Sequence, residues 1–335
     1  MTSSPSASNT TTQGRGVNFT RRALLAAAGT AAIAVPAGSS ASAVASSHGL
    51  AGTSTDEGRW QTLVLEKTLH HTTLMQAFGF DDVGKRIYAL QLFDSAKGHM
   101  FVTQLDYEGN ELSHMELYGF GHGGNIGVER DGATTYLWTE TDSNPSSGYG
   151  RAITRFPYAA GATLTYGESD LVVHRPVPGS TSNQPYVDQE NRRLIVRHRV
   201  SGTPRFAIFD LDAAIAGDFD PIHSIDQYVG EEGETFQGFC LHRDRVHQST
   251  GSHYTDEDGS NPPSGGGNAY LATIDAATGD LVTRTKNVVA PDLYYREPEG
   301  MAILPGRSPR RVIGLASGPE GARKFSLFHR SFAAV

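Results

Sequence analysis

Cysteine is almost absent from this sequence, and its scarcity excludes a disulfide framework. Cys240 is the single cysteine among 335 residues. No disulfide can form within the chain, so stability has to come from apolar burial and strand pairing. We predict that Cys240 is a small buried residue on a strand, with a catalytic thiol as the alternative.

An excess of positive charge is also absent. The chain carries 28 Lys and Arg against 36 Asp and Glu, which gives a net charge of −8. Nucleic-acid binding normally needs a basic face, so the composition argues against nucleic acid as the main partner. It does not exclude an anion site built locally from a few Arg and His side chains.

Familiar catalytic and cofactor motifs are missing as well. The sequence contains no G-x-S-x-G, H-E-x-x-H, phosphate-loop or dinucleotide fingerprint, and no paired-cysteine metal site. No sequence motif therefore identifies a reaction for this protein. Glycine, by contrast, is abundant at 38 residues, which favours a fold with many turns.

The N-terminus has the layout of an export signal. Arg21 and Arg22 precede an apolar, alanine-rich run that ends near Val35, followed by small residues suited to cleavage. We predict a signal peptide over 1–45, of the twin-arginine type, with ordinary secretory export as the alternative. The run is short for a membrane span, so we expect no transmembrane segment after cleavage. A flexible lead-in over 46–58 and a secreted or cell-wall-associated location follow.

The rest of the chain repeats one pattern: a polar residue, an apolar strand, a turn and a second strand. The polar residues that open the copies are Gln76, Asn125, Gln184, Gln237 and Glu299. The period of about 50 to 60 residues suits propeller blades of four strands. A third strand of alternating pattern follows most hairpins, and the single convincing helix is short, over 211–216.

Closure of the ring is visible in the strand count. The last copy ends without a fourth strand, whereas the segment 61–66 precedes the first copy and has no hairpin of its own. An N-terminal strand that completes the last blade would remove both exposed edges. We therefore predict an all-β chain with a single five-bladed propeller of four-stranded blades over 59–335, and we expect it to be a monomer.

The opening residues of the copies should form a ring at one mouth of the central channel. One interpretation is structural, since polar groups around a narrow axis satisfy one another or bind water. The other is a ligand site or a divalent-cation site, since amide and carboxylate oxygens hold hard cations.

The segments around these strands supply further candidates. Arg binds carboxylate or phosphate, Tyr presents a flat face and a hydroxyl, and amides hydrogen-bond to sugar hydroxyls. Against this, tyrosines often only pack, His122 can cap a strand, and Arg296 can pair with Glu297 or Glu299. The ligand-binding candidates are His71, Gln76, Asn125, Gln184, Tyr186, Arg197, Gln237, His253, Tyr294 and Glu299.

Several motifs carry a family resemblance. They are Gln184-Pro185-Tyr186-Val187-Asp188, Gly121-His122-Gly123-Gly124-Asn125, Gln237-Gly238-Phe239 and Arg296-Glu297-Pro298-Glu299-Gly300. In this order the chain resembles, over about 59–331, the teichoic acid biosynthesis protein C-like propellers and the propeller of staphylococcal phage receptor-binding proteins. The resemblance implies a five-bladed propeller and a link to cell-wall glycopolymer; it does not imply catalysis.

Two functional hypotheses follow. In the first, the protein binds an anionic cell-wall or extracellular glycopolymer, such as teichoic acid, at the funnel-shaped mouth of the central channel. In the second, the protein is a polysaccharide lyase acting on a uronate polymer, with His122 as base, Tyr295 as acid and Arg296 neutralising the carboxylate. A hydrolase or phosphodiesterase acting on teichoic acid with a metal is a further alternative.

Overall fold

The computed structural model describes residues 58–231 and 234–332. The predicted signal peptide, and all of the predicted lead-in except Gly58, lie outside these described residues. The described chain forms five sheets. Within this part of the chain, no helix is both long and apolar enough to cross a membrane.

The first two blades are four-stranded sheets, and the first gains a short fifth strand. The opening strand is β1 (Gln61–Lys67). The first blade comprises β2 (Met75–Asp81), β3 (Arg86–Asp94), β4 (His99–Leu105) and β5 (Glu111–Tyr118). The second comprises β6 (Gly127–Asp131), β7 (Thr134–Ser143), β8 (Gly150–Pro157) and β10 (Val173–His174), while β9 (Thr163–Thr165) pairs in parallel with β5.

The remaining blades repeat the same order. The third comprises β11 (Thr181–Asp188), β12 (Arg193–Val200), β13 (Thr203–Asp210) and β14 (His223–Asp226), with helix α1 (Leu211–Ile215) between the last two. The fourth comprises β15 (Phe236–His242), β16 (Arg245–Thr250), β17 (Tyr270–Asp275) and β18 (Leu281–Lys286), with the 3₁₀ turn at Pro263–Gly265. The fifth comprises β19 (Glu297–Leu304), β20 (Arg310–Ser317) and β21 (Lys324–Ser331).

The opening strand β1 completes the fifth blade. It pairs antiparallel with β21, so that Thr62 lies opposite Phe328. The inner strands β2, β6, β11, β15 and β19 contact one another in succession, and β19 contacts β2 to close the ring. The predicted five-bladed, all-β architecture with N-terminal closure is thus confirmed.

The apolar core lies between the blades. Inner strands such as β2 are buried along almost their whole length, because each blade is covered on both faces by its neighbours, as in a sheet sandwiched between two layers. Phe120 and Ile126 are fully buried between the first and second blades, and Trp138 and Leu194 between the second and third. Packing between blades therefore fixes where each inner strand begins, and so positions the channel mouth.

Candidate functional site

A cavity of about 320 Å³ opens at the mouth of the channel where the inner strands begin. All five blades contribute to its wall. The lining residues that matter most for chemistry are Gln76, His122, Tyr149, Gln184, Arg197 and Glu299. Four of the five residues that open the sequence copies thus meet in one cavity, since Gln237 also lines it.

β-Bulges turn three of these residues toward the axis. The strand pairing skips a residue at Gln76 between β2 and β3, and at Gln237 between β15 and β16. It skips Glu299 and Gly300 between β19 and β20. A bulged residue is released from the ladder and its side chain is re-aimed, so the same local irregularity, repeated in three blades, presents a polar group to the cavity.

Arg197 carries a buried positive charge at the cavity wall. Its side chain is only 4% exposed. Its Nε donates to Oε1 of Gln227 at 2.7 Å and its Nη1 to Oε1 of Gln184 at 3.3 Å. The guanidinium lies 4.0 Å from the ring centroid of Phe236. Burial lowers the pKa of Arg197 to about 10, so the group remains charged at neutral pH.

Arg199 adds a second positive charge to the same wall. It lies two residues after Arg197 on β12, and alternation along a strand places residues two apart on one face. Its Nη1 donates to the carbonyl of Gly202 at 2.7 Å. Among the described residues, no carboxylate forms an ion pair with either arginine. Neutral oxygens therefore hold both guanidinium groups.

The acids of the cavity do not cancel this charge. The Glu234 carboxylate is paired with Arg284 and accepts a hydrogen bond from Thr250. Glu299 is 4% exposed, and burial, together with the charge of Glu297, raises its pKa well above the ordinary range. The cavity is consequently cationic even though the chain as a whole is anionic.

His122 and Tyr149 form a stacked pair that also lines the cavity. Their ring centroids are 4.6 Å apart at an interplanar angle of 24°. Burial lowers the pKa of His122, so its imidazole is neutral at pH 7. Burial, with the charge of Glu140 as the next cause, raises the pKa of Tyr149. The pair offers a flat aromatic face and two neutral hydrogen-bonding groups.

Glu140 holds the loop that carries His122. This acid of β7 is fully buried, and its carboxylate accepts the backbone N–H of Gly123 at 2.6 Å and of Gly150 at 2.5 Å. Gly123 has a φ of +82°, which favours glycine. The loop is thus held by hydrogen bonds to a buried carboxylate and not by pairing with a strand.

Asn125 opens the second copy but ties the ring together below the cavity. It is fully buried, and its Nδ2 donates to the carbonyl of Phe239 at 3.0 Å while Oδ1 accepts from the N–H of Ile126. Phe239 belongs to β15, so the amide links the second blade to the fourth across the axis. Asn125 therefore has the structural role that the sequence offered as one of two interpretations of the polar ring.

Arg296 and Tyr295 do not line the cavity, in contrast to the sequence-based expectation. Arg296 is 1% exposed, and its guanidinium donates to the backbone carbonyls of Val289 and Asn287, both at 2.9 Å. It pairs with neither Glu297 nor Glu299 and stabilises the loop before β19. The Tyr295 ring stacks on His253 at 4.5 Å.

The remaining candidates also lie elsewhere. His253 and the largely exposed Tyr294 (71%) belong to the rim outside the cavity lining. The backbone N–H of His71 donates to the side chain of Gln91, and its ring packs on Phe101. The hydroxyl of Tyr186 accepts the N–H of Ile303 at 3.0 Å, in the opposite mouth of the channel.

That opposite mouth contains a second cavity of about 420 Å³. The acids at its rim hold turns: Asp81 accepts from the N–H of Gly84 and from Thr135, and Asp188 accepts from the N–H groups of Asn191 and Arg243. Asp81 is also paired with Arg130 at 2.9 Å, so both carboxylates are occupied.

Sequence reasoning missed Tyr149 and Glu140, and for the basic cluster of Arg197, His198 and Arg199 it left open whether the side chains face the channel or solvent. Alternation along β12 could have identified Arg199 once Arg197 was chosen. Tyr149 follows a turn and has no periodic signal, and Glu140 sits in an otherwise ordinary strand. Among the described residues, no three His, Cys, Asp or Glu side chains meet at the channel; the group that does meet lies at the edge of the first blade.

Comparison with known proteins places this geometry in a family. The model of the phage 5-bladed beta propeller receptor binding platform domain matches residues 74–328. A curated protein of Bacillus subtilis (strain 168), with the provisional name major teichoic acid biosynthesis protein C, is 29% identical over 279 residues. The match covers 78% of this chain and 60% of that protein, so the chain spans less than two thirds of its relative's length.

A solved structure agrees in fold. The tail fiber of a Staphylococcus aureus phage superposes with a TM-score of 0.67 at 17% identity, over 82% of this chain and 53% of that one. At this identity the likeness concerns the fold alone. Since the family model covers most of the sequence and the chain forms the five blades that its description names, this chain belongs to the phage five-bladed β-propeller receptor-binding platform domain family.

Proposed function

We propose that this protein binds an anionic glycopolymer of the teichoic acid type in the cavity where the inner strands begin. The observation that carries the proposal is the buried, charged Arg197, which only neutral amide oxygens and an aromatic ring hold. A buried charge is costly unless a counter-charge approaches it. A phosphate or carboxylate of the ligand is such a counter-charge.

The other groups suit the sugar or polyol part of the polymer. Gln76 and Gln237 offer amides that donate to and accept from hydroxyls. The stacked rings of His122 and Tyr149 offer a face for the apolar side of a sugar ring. The cavity volume of about 320 Å³ lies near the lower end of ligand sites, about 300 to 1,000 Å³, which suits one or two repeat units of a longer chain.

The names of the related proteins also support the proposal of glycopolymer binding. The family is described as receptor-binding, and the curated relative is named for teichoic acid biosynthesis. The second name points to a glycopolymer of the cell wall, and the first to binding of a receptor. The twin-arginine signal predicted at Arg21 and Arg22 would carry the protein to that location, and we propose that the mature chain acts outside the cytoplasm.

The test is a binding titration with poly(glycerol phosphate), poly(ribitol phosphate), polygalacturonate and neutral dextran, followed by calorimetry. We expect saturable binding of a phosphate polymer that weakens as salt is added, because the contact is ionic. Arg197→Met and Arg199→Met should each weaken binding by about tenfold or more, since a hydrogen bond to a charged group contributes about 1.5–3 kcal/mol.

Arg193→Met is the matched control. Arg193 lies at the other end of β12, where its Nη1 donates to the carbonyl of Arg243, so the variant should bind as the wild type does. Equal losses in Arg193→Met and Arg199→Met would contradict the proposed site. Unfolding curves of all three variants separate a binding defect from a folding defect.

A polysaccharide lyase is the second candidate, favoured by the position of His122 and Tyr149 in one cavity with Arg197. Neutral His122 would take the C5 proton of a uronate while Arg197 holds its carboxylate. The C4–O bond then breaks, and the leaving oxygen takes the proton of Tyr149, which its raised pKa keeps on the hydroxyl. Tyr149 and Arg197 thus replace Tyr295 and Arg296 in the roles assigned from sequence.

The titration with polygalacturonate also tests whether the protein is a lyase. A lyase produces unsaturated uronate ends, which absorb in the near ultraviolet. Product that forms in the wild type and disappears in Tyr149→Phe would establish the reaction. A flat absorbance together with retained phosphate polymer would leave binding as the function.

A further inference from the structure

The outer edge of the first blade carries two histidines and a glutamate in mutual contact. His70 lies in the connection between β1 and β2, whereas Glu111 and His114 belong to β5. Nδ1 of His70 is 3.1 Å from Oε1 of Glu111, and Nδ1 of His114 is 3.3 Å from the same oxygen. One nitrogen or oxygen of each side chain lies within 4.8 Å of the other two.

A β-bulge makes this arrangement possible. Residues three apart on a regular strand point to opposite faces, which would separate Glu111 from His114. In the pairing of β4 with β5, Glu111 lies opposite Leu105 and Ser113 opposite Gln104, so one extra residue is inserted. The inserted residue shifts the alternation and brings both side chains to the same side of the strand.

Aromatic neighbours orient the two imidazoles. The rings of His70 and His114 stack with centroids 3.4 Å apart. Phe101 contacts His70 edge to face at 4.9 Å. Each of the three polar side chains is about one third exposed, so an ion in solution reaches them. When both nitrogens bind the ion, the stacked rings turn apart about their side-chain torsions while the backbone of the blade stays in place.

We propose that His70, Glu111 and His114 form a surface site for a divalent transition metal, with zinc as the preferred ion. Around a tetrahedral zinc with bonds of about 2.0–2.1 Å, neighbouring ligand atoms lie about 3.3 Å apart. The two nitrogen–oxygen distances agree with that spacing. Two imidazoles favour zinc over magnesium and calcium, which take oxygen ligands, and water completes the coordination.

The position of the site gives the ion a role. It joins the segment that follows the closing strand β1 to the outer strand of the first blade. A bound ion therefore ties the connection between the closing strand and the first blade to the outer edge of that blade. Because zinc binds the folded arrangement and not the dispersed side chains, it raises the unfolding temperature.

The experiment is a titration of tag-free protein with ZnCl₂ by calorimetry, together with CoCl₂ absorption spectra. We expect one ion per chain, visible cobalt bands of a low-coordinate site, and a higher unfolding temperature with zinc. His70→Ala and His114→Ala should each weaken zinc binding by about tenfold or more, since even the outer partners of metal ligands contribute 10- to 100-fold.

His223→Ala is the control, because this histidine lies on β14 of the third blade. It should leave the titration unchanged. Zinc binding that persists in both His70→Ala and His114→Ala, or equal binding of MgCl₂ and ZnCl₂, would overturn the proposal. Circular dichroism confirms that the variants are folded, and their unchanged polymer binding separates this site from the central cavity.

Discussion

Glu140 shows how a single residue outside the repeat pattern shapes the candidate site. Its carboxylate accepts backbone N–H groups from the loop that carries His122 and from Gly150. Gly121 is needed beside it, since a Cβ there would lie 2.4 Å from the Glu140 side chain. Burial opposes the charge on Glu140, whereas the N–H donors favour it, and burial is the larger effect.

This balance predicts a pH dependence of stability. Burial raises the pKa of Glu140 from 4.5 to about 7, so the folded state binds the proton more tightly than the unfolded state. The stabilisation is fully present below about pH 4.5 and is lost as pH rises through about 7. The change is about 3 kcal/mol, at about 1.4 kcal/mol per pKa unit.

The measurement is the free energy of unfolding in urea across that range for wild type, Glu140→Gln and the exposed control Glu168→Gln. Gln does not titrate, so Glu140→Gln should show the flatter profile while Glu168→Gln follows the wild type. The pKa of Glu299 is raised as well. Because Glu299 is present in all three proteins, its contribution to the pH dependence cancels in the comparison. Equal slopes in wild type and Glu140→Gln would refute the assignment.

At the scale of elements, the beginnings of the inner strands combine bulges with glycines. Gly238 and Gly300 follow the bulged Gln237 and Glu299, and both have positive φ. A Cβ on Gly238 would lie 2.7 Å from the Cα of Gly300. Glycine therefore lets adjacent inner strands approach closely at the axis, while the preceding polar residue faces the cavity.

Two glycines with similar backbone test this interpretation. Gly300 (φ +74°) is crowded, with a Cβ position 3.0 Å from the Cα of Ala77, whereas Gly132 (φ +55°) has open space. Gly132→Ala should cost only the left-handed strain of about 1–2 kcal/mol. Gly300→Ala should cost about 1–3 kcal/mol more from overpacking. Urea unfolding compares them, and equal losses would show that crowding at the axis is unimportant.

At the scale of the whole molecule, closure by β1 determines whether five blades form one ring. Without this strand, β21 would expose an edge, which is a template for association. Two adjacent residues of β1 differ sharply in burial: Val64 is 2% exposed and belongs to the core, whereas Leu65 is 53% exposed. Val64 therefore anchors the closing strand.

The neighbouring pair gives a prediction for closure. Val64→Ala removes two buried methyl groups and should lower the free energy of unfolding by about 2 kcal/mol. Leu65→Ala should change it by about 0.5 kcal/mol or less, as exposed sites do. Thermal and urea unfolding of both variants provide the check, and a loss as large for Leu65→Ala would mean that the strand pairs in a different register.

Much of the fold followed from local patterns. Apolar alternation, turn residues and the polar openings of the copies predicted five hairpins, and the unpaired segment at 61–66 predicted the closing strand. These signals depend on neighbours a few residues apart, which the sequence displays directly. The short parallel strand β9 was not predicted, because it is held by pairing with β5 and has no turn or period of its own.

The sequence by itself determined the architecture and the mouth of the channel at which Gln76, Gln184, Gln237 and Glu299 collect. The tertiary structure alone decided which other groups reach them: Tyr149 enters the site and Glu140 holds the loop of His122, whereas Arg296 is turned toward the carbonyls of its own loop. The physical reason is that strand period and turn chemistry are local, whereas burial, charge compensation and hydrogen-bond partners depend on residues that are distant in the chain and meet only when the blades pack.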